Sequence, residues 1–222
     1  MLVIFDIVGT LFSLDTIGSA LREEGLEAGM MECWFAKLLQ TSMAATLAGR
    51  YIPFKESAEA SLRQVLVERG IPYDRGARFF RALSELEPYD DARECLATLR
   101  EEGHRLAALT NSSEEITQTL LQRAGFNGMF EAVVSCDEVM ACKPHPSPYR
   151  MVVDRMEAMP DESCMVAAHG WDIIGAHAVG LHTIWISELE KGWPFPGSPP
   201  GAYASRLAEV PAILYQQAGV LM

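Results

Sequence analysis

Seven polar residues of this 222-residue chain stand where they could do chemistry together. They are Asp6 and Thr10 in FDIVGTL, Thr110 and Asn111 in LTNSS, Lys143 in CKPHPSPY, and His169 and Asp172 in AAHGWDIIGA. A carboxylate such as Asp6 acts as a nucleophile when it is kept ionised and held against an electrophilic centre. Lys143 would keep Asp6 charged and attract an anionic substrate, and the second carboxylate, Asp172, would keep the lysine protonated and oriented. Thr10, Thr110 and Asn111 offer hydroxyl, amide and backbone donors to substrate oxygens. Taken singly, each residue also has a plain structural use. Asp6 could cap a turn, the Thr110–Ser113 cluster before Glu114 and Glu115 could cap a helix, Lys143 and Asp172 could face solvent, and His169 could be another cap. Their joint placement is what points to a reaction centre.

That placement depends on the surrounding elements. Residues 2–8 (LVIFDIV) form a continuous, β-branched run that suits a strand buried on both faces of a parallel sheet. Similar runs recur at 105–110, 131–135, 164–168 and 182–186. Amphipathic helical patterns lie between them at 91–103, 113–125, 146–159 and 171–180, with Gly103, Gly125 and Gly180 at three of the exits. Such alternation predicts an α/β fold with an open, doubly wound parallel sheet. Asp6, Thr110 with Asn111, Lys143, and His169 with Asp172 then follow four different strands. Those strand ends share one edge, which is where open α/β sheets bind ligands.

Residues 15–88 break the alternation. The patterns TIGSALREEG, MMECWFAKLLQTSMAATLAG, FKESAEASLRQVLVERG and YDRGARFFRALSEL follow one another without a strand. This predicts a core of residues 1–14 and 89–222 and an inserted helical cap of residues 15–88 over the strand ends. Lys191 to Gly201, rich in Pro and Gly, reads as a loop, and a closing helix is expected near 208–218.

Bulk properties narrow the function classes. Hydrophobic residues make up 49% of the chain, ample for a core, and the net charge of -12 is spread without blocks of one sign. That charge argues against a nucleic-acid or anionic-membrane partner, so an anionic substrate would need local positive features. Five cysteines, odd in number and without CxxC spacing, fit free thiols in a reducing compartment, and a cytoplasmic protein is expected. The N-terminal apolar run is short and holds Asp6, and no stretch is long enough to span a bilayer, so neither export nor membrane insertion is expected.

FDIVGTL, LTNSS, CKPHPSPY and AAHGWDIIGA stand in the order and approximate spacing of the four motifs of the haloacid dehalogenase superfamily. The chain resembles that superfamily across the sheet domain. The resemblance implies a Rossmannoid core with a helical cap and Asp6 as nucleophile. It makes Thr10 a support of the nucleophile loop, Thr110 and Asn111 the second motif, Lys143 the third, and Asp172 the acid of the fourth. Phosphatases of the superfamily carry a second Asp two residues after the nucleophile, which protonates the departing alkoxide. General acid catalysis of that kind contributes about 10² to 10⁴ in rate. Val8 has no proton to give, whereas a halide leaves without one.

Within the superfamily the chain is most similar to the L-2-haloacid dehalogenases of type II. The similarity runs through KPHPSPY, with Tyr149 six residues after Lys143, through VAAHGWDIIGAHAVGLHTIWI, and through the cap segment CWFAKLLQTSMAATLAGRYIPF. It implies that Asp6 attacks the halogen-bearing carbon with inversion to give an aspartyl ester. Water, oriented by His169 or Asp172, would then attack the ester carbonyl and free a 2-hydroxy acid, with no cofactor. A small anionic organic substrate, Tyr149 and Trp171 beside it, and a homodimer as one open assembly follow from the same resemblance.

The chain departs from these relatives at three positions. They usually have Tyr where Val8 stands, Arg after the cap tryptophan, and Asn where His169 stands. Phe35 follows Trp34 here and supplies no charge-assisted donor to a halide or carboxylate. Phe35 and Val8 together predict a more apolar pocket for a different or bulkier substrate, with Arg50 in GRY as a residue that could compensate. Two other readings stay open. One is a Mg²⁺-dependent phosphoryl-transfer enzyme whose ion is held by Asp6, the Val8 carbonyl and Asp172. The other is a binding or regulatory protein that keeps the fold without turnover.

Overall fold

All four side chains of β1 (Leu2–Phe5) are buried, as a strand covered on both faces requires. The computed structural model describes residues 1–23, 27, 29–73 and 77–220. The end of the expected helix TIGSALREEG, at residues 24 and 25, and residues 74–76 of YDRGARFFRALSEL lie outside the described residues. β1 is followed by the helices α1 (Asp15–Glu23), α2 (Met30–Leu47), α3 (Phe54–Glu68), α4 (Ala77–Leu83) and α5 (Ala92–Glu101). Then come β2 (Arg105–Thr110), α6 (Glu114–Arg123), β3 (Ala132–Ser135), α7 (Pro146–Arg155), β4 (Ser163–Ala167) and α8 (Gly170–Ala178). The chain closes with β5 (His182–Ile186), β6 (Ala202–Ala204) and α9 (Val210–Val220).

The strands form one parallel sheet in the order β3-β2-β1-β4-β5-β6. Successive side chains of a strand point to opposite faces. Val3 and Phe5 of β1 therefore join one core with Leu96 of α5, Leu120 of α6 and Leu214 of α9. Leu2 and Ile4 join a second core with Val152 of α7 and Ile173 of α8. Helices on both faces make the sheet doubly wound, as the alternation predicts. β2 and β5 have the expected bounds, while β1 stops at Phe5 instead of running to residue 8. After Asp6 the backbone turns, with Leu11 donating to the Ile7 carbonyl. β6 lies just after the expected loop; its three residues, AYA, carry too little pattern to be read as a strand.

Between residues 15 and 83 the described residues contain helices and no strand of the sheet. Their apolar faces continue the first core: the Trp34 ring meets Phe79 edge-on at 4.5 Å, and its indole N–H donates to the Ala58 carbonyl at 3.1 Å. The chain enters and leaves this helical layer side by side. Ser13 N–H donates to the Glu87 carbonyl at 2.9 Å and Tyr89 N–H to the Leu11 carbonyl at 3.0 Å. No helix among the described residues is long and apolar enough to cross a membrane.

Candidate active site

Asp6 follows the last residue of β1, beside the ends of β2 and β4, and is 4% exposed. Its Oδ2 accepts the Thr10 hydroxyl at 2.8 Å, and Thr10 Oγ1 in turn accepts the Ala168 N–H at 2.9 Å. Its Oδ1 accepts Lys143 Nζ at 2.8 Å. The ammonium gives its other two protons to Asp172 Oδ2 at 2.7 Å and to the Leu109 carbonyl at 2.9 Å, so its three donors are used. Tyr149 hydroxyl donates to Asp172 Oδ1 at 2.6 Å. Lys143, Tyr149 and Asp172 are wholly buried. Burial works against the lysine charge, but the carboxylates of Asp172 and Asp6 outweigh it and raise the Lys143 pKa.

These contacts come from residues far apart in sequence that the topology delivers to one edge. Lys143 is drawn in from the loop after β3 because its backbone N–H donates to Asn111 Oδ1 at 2.9 Å, tying that loop to the end of β2. Asp172 lies in the first turn of α8, where a helix favours negative charge.

Above Asp6 is a small cavity, with about 30 Å³ open to the centres of water-sized molecules. The sheet edge contributes Val8, Thr110, Asn111, Ser112, His169 and Trp171 to its wall. The helical layer contributes Phe35, Leu38, Leu39, Ser42 and Phe54, with Tyr51 and Ile52 between α2 and α3. The wall on the side away from Asp6 is therefore mostly apolar. His169 is stacked on Trp171 at 5.0 Å and tilted against Phe35 at 5.3 Å. Its Nε2 lies 3.2 Å from the Val8 carbonyl and its Nδ1 3.6 Å from Glu190 Oε1. Burial disfavours the imidazolium, yet Glu190, Asp6 and Asp172 overcome that and raise the His169 pKa. Among the described residues lining the cavity, His169 is the basic one. Gly9, at φ +87°, makes room for it: a Cβ there would stand 2.6 Å from His169 Nε2.

A sequence model of the haloacid dehalogenase-like hydrolases matches residues 1–180. The chain belongs to that family. It is 30% identical over 215 residues to (S)-2-haloacid dehalogenase 1 of Pseudomonas sp. (strain CBS-3), covering 95% of both chains. It is 31% identical to the (S)-2-haloacid dehalogenase of Xanthobacter autotrophicus over 85% of this chain and 76% of that one. Among solved structures, it is similar to the L-2-haloacid dehalogenase of Xanthobacter autotrophicus with chloropropionic acid covalently bound. The TM-score is 0.85 and the identity 26%, over 96% of this chain and 98% of that one.

Two expected substrate contacts of this dehalogenase-like hydrolase lie behind the cavity wall instead of in it. Thr10 faces Asp6 and Ala168, and Tyr149 lies under Asp172. Both hold a carboxylate in place. Thr110, Asn111, His169, Phe35 and Trp171 do line the cavity. Arg50 is exposed and outside the wall, so it does not replace the charge missing at Phe35. Ser112 and Glu190 were not singled out by the sequence. In sequence Ser112 is one more member of a helix-capping cluster, and Glu190 precedes a Pro/Gly-rich loop with no pattern to mark it.

The oxygens named for a Mg²⁺ ion are already engaged. Lys143 bridges Asp6 and Asp172, Thr10 and Tyr149 occupy their other oxygens, and His169 Nε2 faces the Val8 carbonyl. Lys143 already supplies the positive charge between the two carboxylates, and the described residues contain no group of three His, Cys, Asp or Glu side chains placed to hold a metal ion.

Proposed function

We propose that this family member hydrolyses the carbon–halogen bond of a small 2-haloacid, with the (S) preference named in its relatives, through an ester on Asp6. The observation that carries the reading is the Asp6 carboxylate at a mostly apolar cavity, oriented by Lys143 and Thr10, with Val8 where a proton donor would be needed for an alkoxide.

Thr110 and Asn111 hold the substrate carboxylate on the β2 side of Asp6. An Asp6 oxygen attacks C2, the C–X bond breaks, and the halide leaves with its electron pair. Displacement in line sends that halide away from the sheet edge, toward Phe35, Leu38 and Leu39 of α2. Exclusion of water from such a wall strengthens the pull of Lys143 and His169 on the anion. Water then adds to Cγ of the ester, and its two protons end on Asp6's departing 2-hydroxy acid and in solvent. Asp6 regains its charge, and the stereocentre is inverted once. His169, held by Glu190 and Val8, is the group that orients this water.

Residues 15–88 act as a cap in this reading, since both ends of the segment cross at the Ser13–Glu87 and Tyr89–Leu11 pairs and it supplies the far wall. A cytoplasmic location is supported by the free state of the five cysteines, four of them buried.

Halide release from (S)-2-chloropropionate without added metal tests the reading, paired with p-nitrophenyl phosphate and Mg²⁺. Turnover of the first and little of the second is expected; robust phosphatase turnover overturns it. In a single turnover in ¹⁸O-water the label should enter Asp6, and product labelled in the first turnover would remove Asp6 as nucleophile.

A further inference from the structure

Met30, Trp34, Leu38 and Ser42 are the buried residues of α2, spaced four apart down one stripe of the helix. The first three are apolar and join the first core, as a buried stripe requires, and the fourth carries a hydroxyl. Ser42 is 8% exposed, lines the cavity, and has no hydrogen-bond partner among the described residues.

A hydroxyl inside a helix can bond the carbonyl one turn back, as Thr119 of α6 does to Glu115 at 2.9 Å. Ser42 makes no such bond to Leu38. The other hydroxyl that the helical layer brings to the cavity, that of Tyr51, donates to Asp137. Among the described residues, Ser42 thus holds the one unpartnered hydroxyl of that wall, with Leu38, Leu39, Ile52 and Phe54 around it. Buried polar groups are otherwise almost always paired, so the free hydroxyl marks where a ligand atom belongs.

The course of α2 is fixed on both sides of the site. Phe35 lies 5.3 Å from His169, which follows β4, and Thr46 Oγ1 accepts the Cys142 N–H, in the loop after β3, at 3.0 Å. α2 therefore runs along the sheet edge from the β4 side toward the β3 side. At 1.5 Å per residue Ser42 is about 10 Å beyond Phe35 and about 6 Å short of Thr46. In the proposed displacement the halide is sent toward Phe35 and the carboxylate lies at the sheet edge. The carbon substituent of C2 then has the Ser42 end of α2.

We infer that Ser42 is a specificity-determining residue whose hydroxyl bonds a hydroxyl on C3 of the substrate, so that the preferred 2-haloacids carry a polar C3 group instead of an alkyl chain. The inference rests on the dehalogenase reading and deepens it by naming the substrate class. A hydroxyl both donates and accepts, so the two groups satisfy each other, whereas an alkyl chain would leave Ser42 unpaired against an apolar wall. Sites built to bond a substrate hydroxyl reject the analogue that lacks it more strongly than apolar pockets reject a change of size.

The test compares kcat/KM for halide release from (S)-2-chloro-3-hydroxypropionate and (S)-2-chlorobutyrate, which place CH₂OH and CH₂CH₃ at the same point. Wild type should prefer the hydroxy compound about 10-fold. Ser42→Ala should lose the preference, and Ser42→Thr, which keeps the hydroxyl, should retain at least about threefold of it. Each value is a ratio of two substrates on one protein, so a smaller folded fraction or a general slowing cancels. Calorimetric binding of the unreactive pair 3-hydroxypropionate and butyrate to the same proteins should show the same order. No preference in wild type, or an equal preference in Ser42→Ala, overturns the inference and makes Ser42 a plain interruption of the apolar stripe. If no 2-haloacid releases halide, the dehalogenase reading fails and the calorimetric ratio decides. A ratio of about 10 in wild type and near unity in Ser42→Ala then sustains the hydroxyl subsite, and equal affinities or no binding to wild type end it. Halide release without any hydroxy preference keeps the dehalogenase reading and removes the inference.

Discussion

Lys143 Nζ lies 2.7 Å from Asp172 Oδ2, and solvent reaches neither side chain. The ammonium is shared with Asp6, so Asp172 neutralises part of a charge that positions the proposed nucleophile. Asp172→Asn keeps the shape, removes that charge, and turns an NH₂ or a weaker acceptor toward Lys143. Breaking a buried pair on one side costs about 3–5 kcal/mol. We expect a stability loss near the lower end in urea unfolding, about 3 kcal/mol, since the Tyr149 contact can survive. Halide release should fall at least about 100-fold, as expected for a displaced nucleophile. Wild-type stability in this variant would show that the pair holds nothing in place.

Cys142 lines the same cavity, and a 2-haloacid is itself an alkylating agent for thiolates. Burial pushes the Cys142 thiol up to about 12, with nearby Lys143 opposing and Asp172 adding to the shift. At pH 8 the thiolate is then roughly one part in 10⁴. Native protein exposed to iodoacetamide at pH 8 should leave Cys142 unmodified by peptide mass spectrometry, and urea-unfolded protein should be alkylated there. Rapid labelling of the native protein would mean that the thiol is ionised and the pocket wet.

Much of the fold and the grouping of Asp6, Lys143 and Asp172 can be read in the sequence because each depends on a strong local signal. β2 and β5 are short apolar runs with sharp polar ends, and a parallel sheet brings the ends of such runs to one edge whatever the loop lengths. What sequence cannot convey is which way a side chain reaches from that edge. Tyr149 and Thr10 belong to the right neighbourhood but point beneath the carboxylates, because their hydroxyls are the partners that buried Asp172 and Asp6 require. Glu190 lies 21 residues after His169 in number and joins it only through the path of the segment that follows β5.

His169 ties the site to pH. Its pKa is raised above the ordinary 6.5, so the folded state binds the proton more tightly than the unfolded chain. The stabilisation is therefore complete below about pH 6.5 and is lost as pH climbs through the raised value. The Tm of wild type minus that of His169→Asn should be largest near pH 6 and shrink toward pH 9. Glu190→Gln should reduce the difference at pH 6, because Glu190 is the main group raising the pKa. A Tm difference that grows with pH would mean that His169 is held neutral.

In the proposed reaction, Phe35 is where the leaving group and the His169 charge meet. Its ring lies 5.3 Å from the imidazole and lines the cavity from α2, the side toward which the proposed in-line displacement would send the halide. Phe35→Arg would add a charge-assisted donor there, typically stronger than a neutral one by about 1–1.5 kcal/mol. Chloride should then inhibit halide release about 10-fold more strongly than in wild type, measured as a competitive constant against (S)-2-chloropropionate. The added cation also disfavours a protonated His169, so the pH dependence of Tm should move to lower pH in the same variant. Phe35→Leu keeps the wall apolar and should leave the chloride constant within about twofold. If the arginine variant binds chloride no better than wild type, the halide does not leave toward α2, and the direction of attack on the substrate carbon must be redrawn.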